Sequence, residues 1–221
     1  MTKEEKVHEI LKRLRKIYPN PITALNFKTP FELLIATIMA AQCTDVLVNK
    51  ITPELFKKYP DAKSMAKASY DDVDKIISKV TFHVNKAKNI VEASKMMVEK
   101  HGGEVPKTMQ ELDDLPGVAR KTANVVLGNA YKINEGVVVD THVMRLAPKL
   151  GLTENDNDPV KIEEELMKIV PQKDWADFAN MIILCSREFY PKRANDYSAG
   201  PLEGLFISSY NRAIITQIIA H

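Results

Sequence analysis

The stretch Leu115-Pro116-Gly117-Val118-Ala119-Arg120-Lys121-Thr122-Ala123-Asn124-Val125-Val126-Leu127 decides how this chain is read. It has the pattern of a tight turn between two helices. Upstream, Thr108-Met109-Gln110-Glu111 has the form of a capping box that opens the first of them. Gly117 permits a backbone conformation, or a close approach, that a side chain would block. The amides of the turn then fall at the N-terminus of the second helix, where N–H groups and the positive end of the helix dipole suit a phosphate. Spacing alone fits equally well an ordinary αα-hairpin with a solvated Arg120–Lys121 pair. A lysine at a helix start weighs mildly against that plain reading, because the dipole there disfavours cations.

Outward from the hairpin the chain is helical in pattern. Val7, Ile10, Leu11, Leu14, Ile17 and Tyr18 recur at helical spacing until Pro19-Asn20-Pro21. Thr29-Pro30-Phe31-Glu32 combines a capping box with proline at the first helical position, and the nearly all-apolar run to Cys43 predicts a buried helix. Thr44 or Asp45 caps the next helix, and Ser69-Tyr70-Asp71-Asp72 starts another. Ala87, Ile90, Val91, Ser94, Met97 and Val98 share one face of a long helix that His101-Gly102-Gly103 stops. Later helices open at Asp158-Pro159 and run from Trp175 to Arg187. Only Gly136-Val137-Val138-Val139 resembles a strand, too short and solitary to build a sheet. The expected class is all-α.

Length and composition fit one globular unit or two small lobes: 221 residues, 45% hydrophobic and 27% charged. No apolar run is long enough to span a membrane, and the charged N-terminus lacks the apolar core of a secretory signal. The expected compartment is the cytoplasm, at the nucleoid if the source is prokaryotic. A net charge of +2 neither demands nor excludes nucleic acid. Two cysteines, Cys43 and Cys185, supply neither a disulfide framework nor a four-thiolate metal site.

Nineteen positions after Lys121, an apolar run ends on an aspartate in Val137-Val138-Val139-Asp140-Thr141-His142-Val143-Met144-Arg145-Leu146. Taken alone, Asp140 or Thr141 is as well explained as a helix N-cap. Together with the hairpin, the segment resembles the helix–hairpin–helix DNA glycosylase superfamily, and most closely its bifunctional endonuclease III branch. The resemblance extends to Ala40-Ala41-Gln42-Cys43-Thr44-Asp45, Val48-Asn49-Lys50, Asn85-Lys86-Ala87-Lys88-Asn89-Ile90 and Gly103-Glu104-Val105-Pro106, in order along nearly the whole chain.

That resemblance implies a two-lobed helical fold with a central cleft. Residues 22–134 would form a six-helix lobe carrying the hairpin, and residues 1–21 with 135–221 a second helical lobe ending in a C-terminal loop. It implies a base-excision repair enzyme, a DNA glycosylase with β-elimination AP lyase activity, acting by default on oxidised pyrimidines in damaged double-stranded DNA, as a monomer. Lys121 falls on the family's nucleophilic lysine and Asp140 on its catalytic aspartate. Gly117, Ala119 and Arg120 fall on the phosphate-gripping hairpin. Gln42 matches the residue that fills the space of the expelled base, and Phe82 lies where the family places an intercalating wedge. Phe82 is equally readable as a core aromatic at a helix start. Asp45 and His142 match residues near the pocket, although His142 also fits a capping-region histidine.

The sequence departs from the family at several points. The branch usually ends in Cys-x6-Cys-x2-Cys-x5-Cys around a [4Fe–4S] cluster. Counted from Pro201-Leu202, those positions hold Tyr190, Tyr197, Gly200 and Phe206, at the family's separations of 7, 3 and 6, and none is a cysteine. The expectation is no cluster and no other cofactor, with an aromatic mini-core in its stead. Ala119 stands for the second hairpin glycine, Val80-Thr81-Phe82-His83-Val84 differs from the usual wedge segment, and Leu184-Cys185-Ser186 replaces His/Cys-Gly-Arg. Two further functions therefore stay open: the same chemistry with a shifted lesion range or mainly on abasic sites, and a non-catalytic DNA-binding module. The module has no need of the Lys121–Asp140 pair.

Overall fold

In the computed structural model, which describes residues 1–193 and 197–207, every regular element is helical. The part of the second-lobe expectation that covers 208–221 lies outside the described residues. In chain order the helices are α1 (Lys3–Ile17), α2 (Pro30–Ala40), α3 (Asp45–Lys58), α4 (Ala62–Met65), α5 (Tyr70–Ile77), α6 (His83–His101), α7 (Met109–Asp113), α8 (Arg120–Val126), α9 (Thr141–Lys149), α10 (Pro159–Ile169) and α11 (Trp175–Glu188). A π turn, Leu127–Tyr131, continues α8, and a 3₁₀ turn, Gln172–Asp174, leads into α11.

The described residues divide into two compact units, Thr23–Glu135 and Met1–Ile22 with those from Gly136 onward. The first unit is built around α2. Its run of Leu33, Leu34, Ile35, Ala36, Ile38 and Met39 is buried on every side. Leu55 of α3, Met65 of α4, Ile77 of α5, Ile90 and Met97 of α6, Leu112 of α7 and Val126 of α8 complete this core. Each large aliphatic side chain so buried stabilises by roughly 1.5–3 kcal/mol. The other unit packs Val7, Ile10, Leu11 and Leu14 of α1 with Val143 and Leu146 of α9, Ile162 and Leu166 of α10, and Phe178, Met181 and Ile182 of α11.

Helix starts follow side-chain chemistry. Thr29, Thr44, Ser69, Asp140 and Asp158 each cap a helix with a side-chain oxygen, and Pro30 and Pro159 occupy first-turn positions. Three details differ from the sequence expectation. The unit Thr23–Glu135 has seven helical segments rather than six. The addition is the single turn α4, held by reciprocal bonds between Asp61 and Ser64. Both anticipated capping boxes are half formed: Glu32 accepts from the N–H of Lys28 at 2.6 Å rather than from Thr29, and Glu111 accepts from the Thr108 hydroxyl at 2.6 Å. Complete boxes are at α4 and at α1, where Thr2 and Glu5 bond reciprocally. The apolar run Val137–Val139 is buried as irregular chain, with no strand among the described residues.

Candidate active site

The hairpin is a rigid seat. Leu112, Leu115 and Val118 plunge into the core, and the Val118 N–H closes the turn on the Leu115 carbonyl at 3.0 Å. Gly117 has φ +79°, and a Cβ there would lie 2.9 Å from Cβ and Nδ2 of Asn89 in α6. Two independent constraints thus require glycine: the left-handed backbone and the close approach. Ala119 takes the N-cap position of α8 and supplies no side-chain cap. Arg120 is exposed and donates from its guanidinium to the Glu135 carbonyl at 3.2 Å. Lys121, in the first turn of α8, stands exposed to solvent. The helix then passes into the π turn, where Asn129 donates to the Val125 carbonyl and accepts from the Thr23 N–H.

In the other unit, Asp140 is the N-cap of α9. Its Oδ1 accepts from the N–H of His142 at 2.8 Å and of Val143 at 2.9 Å; Oδ2 takes neither. Buried Val137–Val139 lead directly into it. The cap reading is therefore correct, and it leaves the second carboxylate oxygen for other work. His142 is half-buried, with Nδ1 2.8 Å from the Ser186 hydroxyl of α11. Arg145 joins the same hydroxyl at 2.5 Å and the Tyr190 carbonyl at 2.6 Å.

Gln42 and Phe82 belong to the unit of the hairpin. Both are exposed, and both have left-handed backbones, φ 55° and 58°. Phe82 is 60% exposed, which removes the alternative of a core aromatic. It stands at the N-cap of α6, flanked by buried Val80 and by His83, whose Nδ1 lies 2.6 Å from Asp74 Oδ1. Asp45 is the half-buried first residue of α3, capped by Thr44. Lys86, one turn beyond Phe82, was given no role of its own in the sequence, because a lysine in the run Asn85-Lys86-Ala87-Lys88 reads as surface. It is 6% exposed, and its ammonium donates to the Met39 carbonyl at 2.8 Å and the Ala41 carbonyl at 2.5 Å. Burial pulls its amine below the ordinary lysine range, with nearby Cys43 opposing.

Three of the four positions that hold the family's cluster ligands, Tyr190, Tyr197 and Phe206, form an aromatic core. Tyr190 stacks on Tyr197 at 5.7 Å between ring centroids, and Phe206 meets them at 5.1 and 5.0 Å. Tyr190 is 0% exposed, its hydroxyl accepts from the Leu202 N–H at 3.0 Å, and it lies 2.8 Å from where a Cβ on Gly200 would sit. Gly200, at φ +101°, is fixed by that contact. These residues offer no thiolate, and Cys43 and Cys185 lie elsewhere, one at the end of α2 and one buried in α11. The residues present do not fit a [4Fe–4S] cluster.

An exposed lysine in the first turn of a helix that follows a tight, glycine-dependent hairpin is the structural feature to set beside known proteins. That comparison defines the class. The family model for the HhH-GPD superfamily of base excision DNA repair proteins matches residues 35–172. The chain is 50% identical over 186 residues to endonuclease III of Synechocystis sp., covering 84% of each protein. It is 40% identical over 179 residues to endonuclease III of Escherichia coli strain K12, covering 81% of this chain and 84% of that one. A solved structure of a trapped endonuclease III–DNA covalent intermediate superposes with a TM-score of 0.86 at 35% identity, covering 96% of this chain and 99% of that one. The chain belongs to the HhH-GPD superfamily of base excision DNA repair proteins. Its activity is that of a bifunctional DNA glycosylase and AP lyase. No helix among the described residues is long and apolar enough to cross a membrane.

Proposed function

We propose that Lys121 is the nucleophile and Asp140 the catalytic carboxylate of a base-excision enzyme acting, by default, on oxidised pyrimidines in duplex DNA. The unprotonated Lys121 amine attacks C1′ of the flipped nucleotide, the C1′–N bond breaks, and the base leaves with the bonding pair. The nitrogen loses a proton, its lone pair forms the C1′=N bond as C1′–O4′ breaks, and O4′ takes up a proton, giving the ring-opened Schiff base. Removal of a C2′ proton then expels the 3′ phosphate by β-elimination. The observation that carries this reading is the exposure of Lys121 on a turn anchored in the core by Leu112, Leu115 and Val118. Asp140 Oδ1 is held by two amides, so its carboxylate has a defined orientation. It stabilises the positive charge that develops on the sugar and accepts protons near the amine. The hairpin amides with Arg120 grip phosphate, Gln42 and Phe82 occupy the stack that the base vacates, and Asp45 and His142 are assigned to recognition of the flipped base.

The same reading holds that the enzyme works as a monomer in the cytoplasm, without an iron–sulfur cluster. The support for the last point is the aromatic packing of Tyr190, Tyr197 and Phe206 and a total of two cysteines. The test is borohydride trapping on a duplex with one abasic site. Wild type yields a covalent adduct and Lys121→Ala yields none; equal trapping by the variant would identify another amine. A panel of single-lesion duplexes then defines the substrate range.

A further inference from the structure

Two of the three non-glycine residues with positive φ among the described residues are Gln42 and Phe82. They lie forty positions apart in sequence, on different elements: Gln42 follows the end of α2 and Phe82 precedes α6. A single buried side chain joins the two segments. Lys86 belongs to the first turn of α6, and its N–H bonds the Phe82 carbonyl at 3.1 Å. Its side chain runs inward to the C-terminus of α2, where the ammonium bridges the carbonyls of Met39 and Ala41, the latter being the residue immediately before Gln42.

We propose that Lys86 is a positioning residue that sets the two exposed left-handed residues, Gln42 and Phe82, as one rigid pair of DNA-inserting fingers. The physical logic has three parts. The last carbonyls of a helix have no intrahelical partners and carry the negative end of the dipole, so a buried ammonium is well placed to bind them. Both acceptors are main-chain atoms, so the cation fixes backbone rather than a mobile side chain. A left-handed conformation at a non-glycine residue persists only where its surroundings over-determine it. At Gln42 the bond to the Ala41 carbonyl and the Cys43 N–H bond to the Ala40 carbonyl at 3.0 Å provide that determination from both sides. A side chain buried against helix-end carbonyls is turned away from any reacting atom; its contribution is to the geometry of insertion into the duplex.

This inference rests on the reading that Gln42 and Phe82 enter the stack, and the experiment separates the two. Lys86→Met removes the donors and keeps the length. On a duplex with one abasic site, kcat/KM falls by about tenfold or more, mainly through KM, a loss typical of one anchoring interaction. On a single-stranded abasic oligonucleotide, where there is no stack to fill, the same variant stays within about threefold of wild type. In a Gln42→Ala/Phe82→Ala background, Lys86→Met has no further effect on the duplex. Lys86→Gln, which retains a donor, recovers part of the loss and carries the same comparisons if Lys86→Met does not fold. Equal losses on both substrates, an undiminished loss in the double background, or no loss at all would each overturn the proposal. A wild-type enzyme whose duplex activity is indifferent to Gln42→Ala/Phe82→Ala would instead overturn the reading beneath it.

Discussion

Replacing Tyr190 tests how the C-terminal loop is held. The ring is wholly buried between Tyr197 and Phe206, and its hydroxyl takes the Leu202 N–H. Truncation of a buried aromatic to alanine typically costs about 3–5 kcal/mol, from lost transfer energy and an incompletely collapsed cavity. In a chain of this length 1 kcal/mol moves the midpoint by about 2–4 °C, so Tyr190→Ala should lower the melting temperature by roughly 6–20 °C. Tyr190→Phe keeps the ring and strands one buried donor, about 1–3 kcal/mol, so it should fall between wild type and Tyr190→Ala. Gly200→Ala attacks the same contact from the other side, through the strained φ and the 2.8 Å approach to the Tyr190 hydroxyl. Val160, 59% exposed, provides a control whose truncation should shift the midpoint by no more than about 2 °C. Calorimetry of all variants, run with and without an iron chelator, is the assay. If Tyr190→Ala melts within about 2 °C of wild type, or if the chelator alone lowers the wild-type midpoint, the rings do not hold the loop.

Asp140→Asn should keep the cap, because asparagine accepts the same amide hydrogens, and leave the melting temperature unchanged while activity falls by about 10²–10⁴-fold. Asp140→Ala should lose activity and about 1 kcal/mol of stability as well; equal activity of the asparagine variant would reduce Asp140 to a cap. Binding to undamaged duplex should weaken with salt, with a slope of about −0.9 per phosphate contacted, and Arg120→Ala should flatten that slope; a salt-independent affinity would contradict a phosphate grip. Of the two thiols, burial pushes Cys185 up to about 12, whereas Cys43 is only partly buried. A thiol reagent at neutral pH should therefore label Cys43 first and reach Cys185 only on unfolding, and rapid labelling of both in the native protein would contradict the burial.

The legible features were those in which one residue carries its own physical reason. Glycine at a turn, threonine and aspartate before apolar runs, and proline at first-turn positions are each read from a short window, and the structure has helices where those windows put them. The all-α class and the hairpin follow from such windows. Contacts between distant segments did not show. Nothing around Lys86 announces that α6 will bury it beneath the end of α2, and nothing around Gly117 names Asn89 as the side chain it must clear. The reciprocal Thr2–Glu5 box was missed although its spacing is ordinary, because the charged N-terminus reads as solvated chain. The π turn at Leu127–Tyr131 has no pattern of its own; within it Asn129 accepts from the distant Thr23 N–H, a contact no short window shows.

Positive φ at a non-glycine residue does not by itself mark a functional position, and Lys132 demonstrates why. At φ 59° it is as left-handed as Gln42 and Phe82, yet it only closes the π turn, its N–H returning to the Leu127 carbonyl. A left-handed residue that ends a helix serves the helix. Phe82 begins one, where an extended conformation with a side-chain cap is the ordinary solution, and it supplies no cap at all. Gln42 follows a helix, but the buried cation beneath it binds the carbonyls on its N-terminal side, a far more elaborate support than a chain reversal needs. The departures from local rule that the local backbone does not explain are thus the two exposed side chains that the DNA reading requires, and Lys86 links their segments, by its ammonium beside Gln42 and by its main-chain N–H at Phe82.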